Sequence, residues 1–419
     1  MDILNIEYEK YKLKNGLEVI LYKDGSLPLA AANIWYKVGS ANERKGKTGI
    51  AHLFEHMMFQ GSENVPKEMH FKYIQEAGGS LNGSTSFDRT NYFEKVPANF
   101  LELVLWLESD RMGGLIPALT HEKLDNQKSV VSNERLERYD NQPYGLAWEL
   151  IIQNLFPEGH PYSWSTIGSL EDISSYTLED VSVFFKTYYS PSNASLVIAG
   201  DFETVRTKEM MEKYFGSIKA NGNVNKLTVP QPQLKENMSI IHKDDVQLER
   251  IYLSWHSDKA YGADDASLDI LSDILTGSKN SRLYKDLVFE KEVAQDVSAF
   301  QFSGRYGGFF TISATAKPGV QLNNLKSEIV NELADLEKNG VTEKELLKSK
   351  NGIKSSFIYS LQNLDSLADQ INSYNFFLNE PNSFNFDLKR YEEVGNENIK
   401  SASEKYFSKP YVELHVVPK

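Results

Sequence analysis

Gly49-Ile-Ala-His52-Leu-Phe-Glu55-His56-Met-Met-Phe-Gln-Gly-Ser62 is the stretch around which the rest of this chain is read. On a helix, positions i and i+4 lie about 40° apart and i+3 about 60° to the other side. His52, Glu55 and His56 therefore share one face, while Leu53 and Phe54 turn away to pack. Two imidazoles one turn apart can each give a nitrogen to a single zinc ion at about 2.0–2.1 Å. Zinc lowers the pKa of a water to about 7, so a carboxylate at Glu55 has only to move the proton. A solvated helix surface could carry the same three residues, but the flanks argue against it. Gly49-Ile50-Ala51 and Met57-Met58-Phe59 are apolar, which buries the helix. A buried His-Glu-His cluster without a metal would leave polar groups unpaired at several kcal/mol.

The same stretch has a counterpart without the chemistry. HLFEHMMFQGS from His52 matches LDILSDILTGS from Leu268, an offset of 216 residues. KTYYSPSNASLVIAGD from Lys186 matches EKYFSKPYVELHVVPK from Glu404, an offset of 218. Two matches at nearly one offset indicate a duplicated unit of about 210 residues. Leu268, Leu271 and Ser272 stand where His52, Glu55 and His56 stand in the first copy, so the second copy cannot bind a metal in this way. Around 217–240 the chain collects Asn, Gly, Pro and Gln and loses periodicity, which places a boundary there. The expected division is a zinc-binding domain over 1–220 and a homologous domain over 238–419. LEVILYK and AAANIWYKV alternate as half-buried antiparallel strands would. SLEDISSYTLEDVSVFFKTYY opens on a cap signal and continues at helical spacing. The expected fold class is α+β: two homologous domains, each a mixed, largely antiparallel sheet with helices packed on one face.

Composition narrows the function. The 419 residues are 41% hydrophobic and 25% charged, as in a globular protein, and the net charge of −13 gives a phosphate backbone little to bind. Nucleic acid is not an expected partner. The absence of cysteine excludes disulfides, iron–sulfur clusters, cysteine-held zinc and thiol catalysis. No apolar run reaches 18 residues, so no membrane span is expected. The first residues lack a basic segment followed by an apolar one. The cytoplasm is the default expectation, or the periplasm if a leader has been cleaved.

A catalytic zinc takes three protein ligands. HEKLDNQKSVVSNERLERYDNQPYG reads as a helix from about 120 to 139, offering Glu122, Asp125, Glu134 and Glu137. Spacing does not choose among them, although Val130 and Val131 mark a buried side that Glu134 shares. His160 sits in a Pro/Gly-rich turn and is read as structural, while His70, His121, His242, His256 and His415 are scattered and carry no signal. Tyr144 suits packing as well as lining a chamber.

GIAHLFEHMMFQGS, GGSLNGSTSFDRTNYF and VVSNERLERYDNQPYG together resemble the inverted zincins of the pitrilysin or insulinase type, which include subunits of the mitochondrial processing peptidase. The resemblance covers essentially the whole chain. It implies one zinc per chain on His52, His56 and Glu134, with Glu55 as catalytic base. It also implies that Gly79–Tyr92 is an edge strand on which a peptide adds as a further strand, touching Asn82, Gly83 and Ser84. A local reading of Asn82-Gly83 as a hairpin turn is the alternative. A glutamate common in the family seven residues before the ligand glutamate is Gln127 here. Self-sufficient members carry an Arg and a Tyr in the second repeat that stabilise the oxyanion; Phe289 and Asp296 occupy those positions. The resemblance thus implies a zinc metalloendopeptidase cleaving short or unfolded peptides as the catalytic subunit of a heterodimer, a homologous partner supplying the Arg/Tyr pair, or otherwise a homodimer. A non-catalytic scaffold subunit is the alternative, and a zinc hydrolase or lyase of a small molecule is the third reading. Retention of all four site residues argues against a scaffold.

Overall fold

The apolar strand segments of the two halves build two sheets of matching topology in a computed structural model that describes residues 5–222, 224, 227–229 and 232–419. The first sheet holds β1 (Glu9–Lys12), β2 (Glu18–Lys23), β3 (Leu29–Tyr36), β4 (Ser80–Thr85), β5 (Thr90–Pro97) and β6 (Ala194–Gly200). Their order is β1-β2-β6-β3-β5-β4. The second holds β7 (Met238–Asp244), β8 (Arg250–Ser257), β9 (Ala294–Gly304), β10 (Gly307–Ala316) and β11 (Val412–Pro418) in the order β7-β11-β8-β10-β9. One pair in each sheet is parallel, β2 with β6 and β7 with β11; the other neighbours are antiparallel. The second sheet repeats the last five positions of the first, strand for strand. The fold is α+β, with two homologous domains and mixed, largely antiparallel sheets.

The chain divides into two compact units that are not simply its two halves. One comprises Met1–Arg135, Trp164–Thr228 and Ile358–Asn385; the other comprises Leu136–Ser163, Val229–Phe357 and Phe386–Lys419. Two segments cross a boundary drawn at 217–240. Within that connecting stretch, residues 223, 225, 226, 230 and 231 lie outside the described residues. In the first unit, the helix Leu364–Leu378 from the second half lies along β3 and β6. In the second unit, the helix Ala147–Leu155 from the first half packs on β8 and β11, where Ala147 and Ile151 meet Leu414 and Val416.

This exchange corrects the half-buried reading of the strands. Residues Ala30 to Tyr36 are at most 4% exposed on either face of β3. Asn33 and Trp35 face the helix Leu364–Leu378, and Ile34 and Tyr36 face the opposite layer. A strand covered on both sides reads as a continuous apolar run, not an alternation. The second unit has its main core on the other face of its sheet, where Leu268, Leu271, Leu325, Ile329 and Ile399 pack on Ile251, Leu253 and Trp255. Among the described residues no helix is long and apolar enough to cross a membrane.

The helices that position the site belong to the first unit: α1 (Ile50–Met57), α2 (Met69–Glu76), α3 (Leu101–Ala118) and α4 (His121–Arg135).

Candidate metal centre

α1 is only eight residues long, and its start is fixed by a buried carboxylate. Glu43 Oε2 accepts from Gly49 N at 2.9 Å and Oε1 from Ala51 N at 2.8 Å. Both are donors that the first turn of a helix leaves open. Burial pushes the Glu43 carboxyl well above the usual range, while these two hydrogen bonds pull it back. Gly49 has φ of 84°, and a Cβ there would stand 2.4 Å from the Ile167 carbonyl oxygen, so no side chain fits. Leu53 and Phe54 are fully buried, Phe54 with its ring centroid 4.2 Å from that of Tyr189. Packing of these two residues aims His52, Glu55 and His56 the other way.

Glu134 arrives on the last turn of α4. The helix expected over about 120–139 is α-helical only to Arg135, and a wider π-helical turn, Leu136–Asp140, takes over two residues past Glu134. Such turns are often found at functional sites. Of the two valines taken as markers, Val131 is fully buried and Val130 is 41% exposed, so only Val131 shares the packed side with Glu134. Arg135 is buried and its Nη1 donates to the Gly168 carbonyl, beside Gly49, which ties the end of α4 to the start of α1.

These elements bring three ligand types together. Glu134 Oε2 lies 3.8 Å from His52 Nε2 and 3.5 Å from His56 Nε2, with the imidazole centroids 4.8 Å apart. A tetrahedral ion with bonds of 2.0–2.1 Å holds its ligand atoms about 3.3–3.4 Å apart. The two carboxylate–imidazole separations exceed this by about half an ångström at most, and two imidazoles with a carboxylate are a donor set that fits zinc. Glu122, Asp125 and Glu137 are not part of this group.

Glu55 is 9% exposed beside it. Its Oε2 accepts from Thr85 Oγ1 at 2.5 Å, and a Cβ on Gly83 would come within 3.1 Å of Oε1. Burial raises the Glu55 carboxyl; the Thr85 hydrogen bond, His56 and Arg89 lower it, and Glu134 raises it further. Thr85 and Gly83 both lie on β4, whose only strand neighbour among the described residues is β5. Asn82 and Gly83 are inside that strand; the turn of the hairpin is Ser86–Arg89, closed by Ser86 N donating to Arg89 O at 2.9 Å. Asn82 Oδ1 accepts from Gly83 N at 2.9 Å, and Ser84 Oγ donates to Asn91 Oδ1 at 2.7 Å. The three expected contact residues therefore stand on an edge strand next to Glu55.

Sequence reasoning missed Thr85 and Arg89, which no spacing links to a helix thirty positions earlier. It also gave His70 no role. His70 Nε2 lies 3.3 Å from Glu94 Oε1, and Arg111 bridges Glu94 at 3.2 Å and Glu108 more closely, all of them buried. His70, Glu94 and Glu108 are spaced as ligands could be, but the Arg111 guanidinium already serves as their cation. Burial pushes Glu108 up to about 8, and burial with the Arg111 charge pushes His70 down to about 3.

The remaining expectations divide clearly. Leu268 and Leu271 are fully buried in the second unit's core, and Ser272 Oγ donates to its own helix at Asp269 O. Phe289 is 53% exposed, and Asp296 Oδ2 lies 3.7 Å from Arg250. Arg282, seven residues before Phe289, is an arginine that the expectations above did not include; it pairs with Glu332, Asp335 and Glu345 in a structural network. Gln127 is buried and donates to Asn126 Oδ1 at 2.9 Å. His160 stacks on Phe156, with centroids 4.5 Å apart, and burial holds it neutral at about 4. Tyr144, at φ 62°, donates through its hydroxyl to Leu248 O and lies under Arg250.

Comparison with known proteins gives a consistent result. Residues 18–160 match the family model described as Insulinase (Peptidase family M16), and residues 175–353 match Peptidase M16 inactive domain. The chain is 33% identical over 375 residues to the zinc protease PqqE of Helicobacter pylori, covering 88% of this chain and 83% of that one. It is 24% identical to the probable mitochondrial-processing peptidase subunit beta of Arabidopsis thaliana, over 86% of this chain and 68% of that one. The crystal structure of a protease from Helicobacter pylori superposes with a TM-score of 0.90 at 30% identity, covering 99% of this chain and 100% of that chain.

Proposed function

This chain belongs to the insulinase (M16) family of peptidases, and on that premise we propose that it is a zinc metalloendopeptidase acting on short or unfolded peptides that add to β4 as a further strand. The observation that carries this is the convergence of His52, His56 and Glu134 beside a Glu55 that faces an edge strand. Zinc bound by those three residues would supply Lewis acidity, acidifying a water and polarising a carbonyl. The free edge of β4 would hold the peptide main chain extended through hydrogen bonds. Thr85 pins one carboxylate oxygen of Glu55, leaving Oε1, against Gly83, to take the proton of the attacking water. The same carboxyl then returns that proton to the departing amine.

Phe289 and Asp296, which stand where self-sufficient members of the family carry the Arg and the Tyr, are an exposed hydrocarbon and an acid, and neither side chain can take over that pair's role toward an oxyanion. The chain is accordingly read as the zinc-bearing subunit of a heterodimer whose homologous partner supplies an Arg/Tyr pair. The alternative is a scaffold role; the family description of an inactive domain matches residues 175–353, while the segment carrying His52 to Glu134 lies within the match to Insulinase (Peptidase family M16), which favours the catalytic reading.

The test is hydrolysis of a mixed library of unstructured peptides by the zinc-loaded chain, alone and with homologous chains from the same cell. Glu55→Gln should keep one zinc and lose about 10²–10⁴-fold in kcat. Cleavage that persists in Glu55→Gln, or none under any condition, overturns the peptidase reading. Full activity from the chain alone, unchanged by any partner, overturns the heterodimer.

A further inference from the structure

Among the described residues β4 is held by a strand on one side only, so side chains help to fix its place. Ser84 carries that load. Its Oγ donates to Asn91 Oδ1 at 2.7 Å, and Arg89 Nη1 donates to its carbonyl at 2.9 Å and to its Oγ at 2.5 Å. Arg89 Nη1 also reaches Asn91 Oδ1 at 3.2 Å, and its guanidinium lies over the Trp35 ring. The far end of Asn91 points to Asp369 on the helix Leu364–Leu378: Nδ2 donates to Asp369 Oδ1 at 2.9 Å. The same oxygen accepts from Trp35 Nε1 at 2.8 Å and Asn33 Nδ2 at 3.1 Å.

The chemistry of the groups gives this chain a direction. A carboxylate only accepts, so Asp369 obliges Asn91 to turn its NH2 outward and its oxygen toward Ser84 and Arg89. An Asn91 flipped the other way would set an amide donor against the guanidinium. Arg89 is largely withdrawn from water, and Asp369, Glu55 and Asp88 are the carboxylates that sustain its charge. Ser84 stands between Gly83, which packs on Glu55, and Thr85, which hydrogen-bonds it. Displacement of Ser84 therefore displaces both groups that touch the general base.

We propose that Asp369 is a positioning residue for the peptide-binding edge, acting through Asn91 and Arg89 to fix Ser84 and the register of β4 beside Glu55. The second half of the chain, which lacks the metal motif, thereby contributes a residue that sets the substrate strand of the first. This rests on the peptidase reading above for its functional meaning, and on the hydrogen bonds alone for its structural one.

The experiment compares the full zinc-loaded chain with Asp369→Ala and Asp369→Asn. Asp365→Asn serves as control, since Asp365 lies on the same helix but pairs with Lys95 outside the relay. Four quantities are read: zinc per chain, thermal midpoint, amide hydrogen exchange of residues 80–85, and KM with the dissociation constant of a fluorescent unstructured peptide. Asp369→Ala should keep one zinc and a cooperative transition. It should raise exchange at 80–85 and the peptide KM each by roughly tenfold, with a smaller change in kcat. Asp369→Asn should fall between, retaining an acceptor oxygen but no charge, and it carries the test if the alanine variant does not fold. The control should match wild type. Unchanged exchange and KM in a folded Asp369 variant overturn the proposal, as does acceleration spread evenly over the first unit. A wild type that binds peptide without cleaving it defeats the peptidase reading alone, and exchange and binding still decide for Asp369.

Discussion

Glu108 shows how far the environment in this molecule can move one group. Its carboxyl rises from 4.5 to about 8 because it is wholly buried, while His70 in the same cluster falls from 6.5 to about 3. The folded chain thus holds a proton on Glu108 that the unfolded chain releases, and refuses one on His70 that the unfolded chain accepts. The contribution of this pair to stability should rise with pH from about 3 to 4.5, where only His70 differs between the two states, and stay level to about 6.5, where the two effects oppose. From about 6.5 to 8 Glu108 alone of the pair acts, and its contribution should fall by up to about 1.4 kcal/mol per pH unit. Thermal midpoints measured from pH 6 to 8.5 should therefore decline in wild type and decline less in Glu108→Gln; parallel curves would refute the assignment. Glu108 and Arg111 stand at i and i+3 on one helix, but no spacing links that pair to His70 or Glu94, so the cluster was invisible until the sheet and two helices were assembled. His52, Glu55 and His56 were legible because one helical turn is a local rule.

At the scale of elements, α1 and β4 show opposite kinds of determination. The direction of α1 follows from its own residues, with Leu53 and Phe54 packing one way and the polar three facing the other. β4 is polar and short, and its meaning comes from what lies beside it. Gly83 is the sharpest point of contact: a Cβ there would stand 3.1 Å from Glu55 Oε1 and 3.2 Å from the rings of Phe59 and Tyr92. Those neighbours are held by packing, so Gly83→Ala should shift Glu55 or the strand by a few tenths of an ångström. Because misplacement of a catalytic group is costly, kcat should drop by at least about tenfold while zinc content stays at one per chain. An alanine variant with wild-type kcat would show that β4 has slack. α4 lies between these cases. Its helical character was readable, but the π-helical turn after Arg135 was not, and Val130 proved an unreliable marker because it faces solvent.

For the whole molecule, the decisive feature is the exchange of helices between the repeats. The outer face of the first sheet presents Asn33, Trp35, Asn91 and Ser195, and the helix Leu364–Leu378 answers them with Asp369 and Asn372. Those buried polar groups would lose their partners in a fragment ending at residue 228, at a cost of about 1–3 kcal/mol each. Residues 1–228 expressed alone should lack a cooperative thermal transition, and co-expression with residues 229–419 should restore it. A fragment 1–228 that folds by itself and binds one zinc would show the exchanged helix to be dispensable.

Sequence alone determined the duplication, the α+β class and the faces of the motif helix, because each follows from periodicity or from recurrence at a fixed offset. It narrowed the expected third ligand to four carboxylates, and the family resemblance narrowed that expectation to Glu134. The tertiary structure decided what depends on distance across the chain: Glu134 meeting the two imidazoles, Thr85 and Gly83 closing on Glu55, and Asp369 reaching back from the second repeat. Hydrogen bonds and charge act over a few ångströms in space whatever the separation in sequence, so such partners leave no periodic trace to read.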